Sequence, residues 1–295
     1  MSVNSYKVFA EVAKNGSFIR AAQALNLTPS AVSHSILSLE EDLGFPLFRR
    51  NRSGITLTQE GEAMLVHVRS IMNSERLMME EAAEINGLER GSVTLGAFSS
   101  VCISWVPELV RTFQQAHRQI QVHVMQGDYA DILTWVKEGE VDMAFETLPA
   151  ADNMLAEPLH QDPLCCVLPR DMAAAHDGYI TAEELRDLPL ILQRTGYNFD
   201  TVAYTKKAKL SVSSNFFVED DQSIAAMVQA GLGASLMPAL TIGNMNYDVK
   251  ILPLVPEFHR TIGLIRQKKT PLSPASRLLH DHILAFVKTK GLYNL

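Results

Sequence analysis

The sequence predicts three consecutive parts: an α+β unit of short helices with one hairpin, a single long helix, and an α/β unit of two lobes. Helix-spaced apolar residues with capping signals occupy residues 1–58, an apolar four-three repeat occupies 59–88, and strand-like runs alternate with helical runs over 89–295. Within the third part we expect one lobe over about 91–161 and 267–295, and the other over about 162–266.

Residues 16–44 predict two short helices joined by a tight turn. Ser17 is a suitable N-cap for the first helix, Thr28 followed by Pro29 starts the second, and Gly44 ends it. On the second helix, residues at spacings of four, three and four form a stripe that must be buried: Val32, Ile36, Leu39 and Leu43. The opposite face carries mostly short hydrogen-bonding groups that suit base edges in a major groove: Ser30, Ser33, His34, Leu37, Ser38 and Glu41.

The basic segment after this helix predicts a β-hairpin, or wing, with its turn marked by Gly54. Its three arginines, Arg49, Arg50 and Arg52, suit phosphate oxygens because a guanidinium group can hold them in a bidentate fork. For Arg50, the alternatives of a solvated charge or a salt bridge with the acidic residues 40–42 remain open.

The order and spacing of these motifs resemble the LysR-type transcriptional regulators. The resemblance rests on the following residues: Gly16, Ser17, Phe18, Ala21, Ala22, the run from Leu27 to Ser33, Leu39, Glu40, Leu43, Gly44, the run from Leu47 to Arg50, Leu57 and Thr58. It implies a winged helix-turn-helix domain, a dimerising linker helix, and an effector domain like the type 2 periplasmic binding proteins. It also implies operator DNA, a small-molecule effector and further copies of the chain, as homodimer and homotetramer, as partners, with RNA polymerase as a further candidate.

We therefore assign DNA contact to nine residues of the helix-turn-helix and wing. A single exposed serine or histidine is usually only solvated, so the assignment rests on the whole constellation. The residues are Thr28, Pro29, Ser30, Ser33, His34, Ser38, Arg49, Arg50 and Arg52.

The charge distribution agrees with this assignment although the chain has a net charge of −7. Residues 1–58 hold six Lys or Arg against four acidic residues, which gives +2 and leaves −9 for the remainder. Binding that depends on a local basic patch should weaken steeply with salt.

The long helix should run from a cap at Thr58 to about Leu88, roughly 45 Å at about 1.5 Å per residue. Because this is long for one small core, we expect pairing with a second chain rather than packing on its own domain alone. The expected dimer stripe is Met64, Val68, Ile71, Met78, Ala82 and Ile85.

In the α/β part, with an expected parallel sheet, ligand-contacting residues should follow strand ends. Ser99 and Ser100, Gly127, and Thr147 occupy such positions in one lobe, and Gln193 and Arg194 in the other. We expect chain crossings near 161–163 and 265–268, with the effector bound between the lobes.

Hydroxyl groups, helix N-termini and Arg194 favour a carboxylate-bearing effector. Acidic residues near the same rim, Asp128, Glu146, Glu219 and Asp220, leave a preference for an amine or simple helix capping open. Effector binding would change lobe closure, and thereby tetramer packing and the spacing or bending of the operator.

Other functional classes receive little support. No catalytic motif of the GxSxG, HExxH or Walker type occurs, and neither a metal site nor a cofactor is expected. Cys102, Cys165 and Cys166 lack CxxC spacing, and the adjacent pair Cys165 and Cys166 is expected to be buried thiols. A redox-sensing regulator and a solute-binding protein or enzyme are the alternatives to an effector-responsive regulator. The absence of a signal sequence and of a long apolar run predicts a soluble, cytoplasmic protein with no membrane partner.

Overall fold

The fold is that of a computed structural model that describes residues 3–51, 54–174, 176, 178–194, 199–210 and 214–291. It divides into two compact units, Met1–Arg90 with Glu138–Glu140, and Gly91–Lys137 with Val141–Leu295.

The N-terminal unit contains three helices, a hairpin and a long helix. They are α1 (Val3–Asn15), α2 (Phe18–Ala24), α3 (Pro29–Leu43), β1 (Phe48–Asn51), β2 (Gly54–Leu57) and α4 (Gln59–Ile85). The hydroxyl groups of Ser17, Thr28 and Thr58 accept a backbone N–H at the start of α2, α3 and α4, as the sequence predicts. Gly44 ends α3 in the left-handed region, at φ 83°.

The core of this unit lies among α1, α2 and α3. Val32, Ile36 and Leu39 are buried against Phe9 of α1, and Leu43 is half-buried against the same core. The Glu40 carboxylate accepts the backbone N–H of Leu47 at 2.7 Å and of Phe48 at 3.2 Å. That bond holds the first strand of the hairpin against α3, because a charged acceptor makes a strong hydrogen bond.

Gly61 lets α4 begin close to the hairpin. A Cβ atom at this position would lie 2.2 Å from the Leu47 carbonyl oxygen, so a larger residue would displace the helix. Leu65 and Val68 are then buried in the N-terminal core, and Met64 packs at its edge.

This packing corrects the expected dimer stripe. Met64 and Val68 pack on their own unit, because α4 completes the core of the three short helices. The other four members, Ile71, Met78, Ala82 and Ile85, are exposed, with Ile85 86% accessible. The stripe thus has an inner end, Met64 and Val68, that is packed in the core, and an outer end, from Ile71 to Ile85, that faces solvent.

The second unit is α/β. Its elements are β3 (Gly91–Ala97), α5 (Ser99–Ser104), α6 (Val106–Ala116), β4 (Ile120–Gln126), α7 (Tyr129–Glu138), β5 (Met143–Leu148), β6 (Met154–Pro169), β7 (Ile180–Thr181), α8 (Ala182–Arg186), β8 (Ile191–Gln193), α9 (Phe199–Lys207), β9 (Phe216–Val218), α10 (Asp221–Gln229), β10 (Ser235–Pro238), α11 (Ala239–Ile242), β11 (Val249–Val255), β12 (His259–Gln267) and α12 (Pro274–Thr289).

The main sheet has the order β4-β3-β5-β12-β6-β11-β7, with β10 also paired to β6. It is mixed, whereas the sequence predicts a parallel sheet: β3 is parallel to β4 and β5, but β12 is antiparallel to β5 and to β6. The difference arises because β6 and β12 carry the chain in opposite directions between the lobes. β6 pairs with β12 through 154–163 and then with β10 and β11 through 164–169.

Two lobes follow from separate cores. The core of lobe 1 joins β3, β5 and α12 and includes Ile262 and Ile265 of β12, whereas the core of lobe 2 includes Leu164 of β6 and Leu254 of β11. The second crossing therefore lies at about 256–260 and not at 265–268, because the apolar run of β12 packs in lobe 1. A further cluster in lobe 2 joins α10 to Ile191 and Met237.

Candidate functional site

The exposed face of α3 carries most of the polar residues expected to contact DNA. Ser30, His34 and Ser38 are exposed and Ser33 is half-buried, on the side opposite the buried Val32 stripe. Thr28 is held at the helix start, where its Oγ1 accepts the Ala31 N–H at 3.2 Å and lies 3.0 Å from the Ser30 Oγ. Pro29 occupies the first helical turn.

The hairpin pairs Phe48 with Leu57 and Arg49 with Thr56 in antiparallel register. Arg49 is exposed, and its Nε donates to the Thr56 hydroxyl at 3.2 Å, which orients the guanidinium group along the hairpin. The side chain of Arg50 and the whole of Arg52 lie outside the described residues.

A cavity of about 390 Å³ lies between the two lobes of the second unit. Ser99, Ser100, Gly127 and Gln193, four of the six expected effector residues, line it. Its apolar wall is formed by Phe98, Ile103, Ile224, Leu236, Met237 and Pro238.

Thr147 and Arg194, the other two expected effector residues, do not line the cavity. Thr147 lies within β5, where its backbone N–H donates to Glu146. Arg194 is exposed and forms a salt bridge with Glu219, because β8 ends one residue before it and directs it to the rim. These two assignments are corrected by the packing.

Gly127 is required by its neighbours. A Cβ atom there would lie 2.4 Å from the Trp135 ring and 2.8 Å from the Asp131 Cβ. The glycine thus allows the loop after β4 to approach α7 closely, and the backbone there borders the cavity.

A buried arginine joins the lobes. Arg260, at the start of β12, is 5% exposed and donates to Asp162 on β6 and Asp200 on α9. It also donates to the Tyr129 hydroxyl at 3.0 Å and the Ser100 Oγ at 2.8 Å. Since Ser100 and Tyr129 belong to lobe 1 and Asp200 to lobe 2, one guanidinium group links both lobes at the crossing strand.

In this cluster, burial and neighbouring opposite charges shift the pKa values of Arg260 and Asp200 in opposite directions. Burial by itself would lower the pKa of Arg260, but Tyr129, Asp200 and Asp162 raise it above its usual value. Burial raises the pKa of Asp200, and Arg260 opposes that shift. The arginine also lies over the Phe98 ring, 5.0 Å from its centroid.

Two family models match the chain. The model described as "Bacterial regulatory helix-turn-helix protein, lysR family" matches residues 3–62, and "LysR substrate binding domain" matches residues 86–288. The chain belongs to the LysR family. This LysR-family chain is 28% identical over 281 residues to the uncharacterized HTH-type transcriptional regulator YvbU of Bacillus subtilis (strain 168), over 94% of this chain and 96% of that protein.

Two solved LysR-type structures have a similar fold. Full-length OxyR from Pseudomonas aeruginosa has a TM-score of 0.77 at 23% identity, covering 96% of this chain and 94% of that one. CbnR complexed with its target DNA has a TM-score of 0.66 at 21% identity, covering 97% and 100%. With the family and its relatives being regulators, this LysR-family protein is a DNA-binding transcriptional regulator with an effector-binding domain, and not an enzyme.

Several residues of the cleft in this LysR-family chain escaped the sequence reasoning, above all Arg260, Asp200, Tyr129 and Asp221. The sequence predicts the second crossing at 265–268, a few residues beyond Arg260, whereas the structure has it at about 256–260. The usable signal was a lone arginine directly before the apolar run Ile262–Ile265, since a charge there needs a buried partner.

Glu146, expected near the rim, is buried below the cavity and does not line it. Burial raises its pKa to about 8, although its Oε1 accepts the Thr147 N–H at 2.7 Å. Its Oε2 is buried without a hydrogen-bond partner among the described residues.

The cysteines of this LysR-family chain are poorly suited to thiolate chemistry. Burial raises the pKa of Cys102 to about 11 and of Cys166 to about 12, and it also raises that of Cys165. Within the part of the chain that the structure describes, no group of histidine, cysteine and acidic residues could hold a metal ion. None of the described helices has both the length and the apolarity needed to cross a bilayer.

Proposed function

We propose that this regulator reads operator DNA through the exposed face of α3 and grips phosphates through the hairpin arginines. The observation that carries the proposal is the exposed polar face of α3, where Ser30, His34 and Ser38 stand opposite the buried stripe. Short polar side chains at the start of a recognition helix can approach base edges, while Arg49 suits the backbone.

The operator should have two symmetric half-sites, because we propose that the outer end of the α4 stripe pairs two copies. Ile71, Met78, Ala82 and Ile85 are exposed beyond the turns at which Met64 and Val68 of the same stripe pack in the N-terminal core. A twofold pairing of this kind presents two α3 helices to one duplex.

In this proposal, effector binding in the cleft is the step that regulates DNA binding. Closure of the lobes around the effector changes how dimers pack as a homotetramer, and so the spacing or bending of the bound operator. Contact with RNA polymerase is then the route by which bound complexes alter transcription.

The carboxylate-bearing effector that the sequence predicts depends on Arg194 and on free helix N-termini. Arg194 is paired with Glu219 at the surface and does not itself line the cavity. The residues that line the cleft, and not Arg194, therefore determine which effectors it accepts.

Selection from a pool of random duplexes tests the DNA-binding proposal. Purified full-length protein at roughly 0.1 M salt, where phosphate contacts still contribute strongly, should enrich fragments with dyad symmetry. Recovery of no preferred sequence would overturn it. Small-angle scattering with and without the selected DNA tests assembly, and a monomer unchanged by DNA would overturn the oligomer proposal.

A further inference from the structure

The cleft between the lobes is rich in negative charge. Five carboxylate residues line it: Asp128, Asp200, Glu219, Asp220 and Asp221. Arg260 is the single Lys or Arg among the described residues of the lining. The cavity itself, bordered by both lobes, identifies the site, and these side chains determine which charge it accepts.

Most of the N–H groups of Arg260 are already bonded to the chain's own acceptors. Its Nε donates to Asp162, one Nη donates to Tyr129 and Asp200, and the other Nη donates to Ser100 and lies 2.7 Å from Asp162. A guanidinium group has five N–H donors, and four of them are used in these hydrogen bonds, while the ion pair with Asp162 lies beside the remaining Nη. An incoming carboxylate would compete with these groups for the guanidinium.

Two helix N-termini near the cavity, those of α7 and α10, are occupied by the chain's own carboxylates. Asp220 caps α10 by accepting the Ser223 N–H at 2.8 Å, and hydrogen bonds with the side chain and the backbone of Ser223 lower its pKa. Asp128 accepts the Asp131 N–H at 2.8 Å at the start of α7. At these two helices the backbone donors that would attract an anion are thus already paired with the chain's own carboxylates, whereas α5, which begins in the cavity lining after Phe98, has no side-chain cap.

Asp221, in contrast, presents carboxylate oxygens to the cavity that can accept hydrogen bonds from a ligand. Within the described residues its carboxylate accepts one hydrogen bond, from the Gln193 Nε2 at 3.1 Å. Burial raises its pKa to about 6, with Asp220 adding to the shift and Arg260 opposing it. A cation next to this carboxylate would favour its charged form.

From this charge balance we propose that the effector carries a protonated amine or a guanidinium group, held by Asp221, with Asp128 and the Arg194-paired Glu219 at the rim. Its body is apolar and lies against Phe98, Ile103 and Met237. This inference rests on the proposed function, since it names the ligand class of the effector cleft. Asp221 is the residue that sets the charge preference.

Matched probes test the charge preference on the full-length chain. Each set shares one butyl, hexyl or phenethyl body that ends in an ammonium, guanidinium, hydroxyl or carboxylate group. We expect isothermal titration to give Kd values at least about tenfold lower for the cations, as a hydrogen bond to a charged group commonly contributes that much.

Single substitutions test which carboxylate causes the preference for cationic probes. Asp221→Asn should remove the preference for cationic probes. Glu219→Gln, at the exposed rim, should weaken that preference less, and this variant is the test if Asp221→Asn folds poorly. Glu183→Gln, an exposed acidic residue of the same lobe outside the cavity, is the control and should retain it. Equal loss in Glu183→Gln and Asp221→Asn would overturn the role of Asp221.

The outcomes separate this inference from the proposed function. Preferred binding of the carboxylates, or binding of none of the cations, would overturn the cation class while operator selection stays intact. Loss of operator preference in the unliganded protein would instead overturn the proposed function, whichever probe binds.

Discussion

Arg260 and Asp200 form an ion pair across the cleft, with Nη1 and Oδ2 3.2 Å apart and both side chains buried. One residue belongs to the strand that crosses between the lobes and the other to α9 of lobe 2. Because the same guanidinium group also holds Ser100 and Tyr129 of lobe 1, the pair connects the packing of the lobes to the charge of the site.

Arg260→Ala should strongly destabilise the effector domain. The substitution leaves Asp162 and Asp200 buried without their cation, and breaking a buried pair in this way costs about 3–5 kcal/mol. Urea unfolding followed by circular dichroism measures the loss. Arg170→Ala, which removes an exposed pair with Asp248, is the control and should change stability by less than about 0.5 kcal/mol. Similar midpoints for both variants would contradict the importance of the network.

Glu146 should make stability fall as the pH rises from about 4.5 to about 8. Its pKa is raised from 4.5 to about 8 by burial, so the folded state keeps a proton that the unfolded state has lost, and the unfolding free energy decreases across that window. Glu146→Gln keeps an acceptor for the Thr147 N–H and removes the titration. Thermal unfolding at several pH values should show a smaller decrease for the variant, whereas parallel curves would exclude this role.

His34→Ala should relax sequence preference, and Arg49→Ala should weaken binding to all duplexes alike. A base contact changes specificity by about 1–3 kcal/mol, whereas a phosphate contact lowers affinity and reduces the salt slope by about one. Fluorescence anisotropy on the selected operator and on a random duplex, at several salt concentrations, distinguishes the two effects. Arg170→Ala controls for the loss of an exposed positive charge. Equal losses on both duplexes for His34→Ala would contradict base reading.

Met78→Glu with Ile85→Glu should convert the protein to monomers. Each buried apolar side chain contributes about 1.5–3 kcal/mol, so loss of two such contacts weakens dimerisation by about a hundredfold or more. Sedimentation velocity at micromolar concentration measures the change. Val66→Glu places the same charge on an exposed position of another face of α4 and should leave the dimer intact. A double variant that remains dimeric would place the interface elsewhere.

The thiols should be unreactive in the folded protein. With a pKa of about 11, only about one Cys102 side chain in ten thousand is a thiolate at pH 7, and the other two cysteines are also raised. Iodoacetamide should label the protein rapidly only in urea, and dilute peroxide should leave operator binding unchanged. Rapid labelling of the native chain together with altered operator binding would support redox sensing instead.

Local signals predicted the helices and most of their ends well. Ser17, Thr28 and Thr58 cap helices as expected, because a side-chain oxygen and a free N–H three residues later interact whatever surrounds them. Thr181 and Glu184 form their capping box for the same reason. Ser99, Ser100, Gly127 and Gln193, predicted from strand ends, line the cavity, and their contact with an effector stays a prediction.

Packing contacts between residues distant in sequence could not be predicted from such local signals. The stripe on α4 has one helical period throughout, yet its first members pack on the N-terminal core and its last members face solvent. Periodicity places these residues on one side of a helix but does not say which other element, or which other chain, covers each turn.

The sequence by itself determined the family, the three parts of the chain and the face of α3 that is exposed, because these follow from short-range spacing and capping. Only the tertiary structure decided the charge of the effector cleft. Arg260 meets Ser100, 160 residues away, and Asp162, 98 residues away. Which charges remain available to a ligand depends on such pairings, and they arise when the lobes pack around the crossing strands.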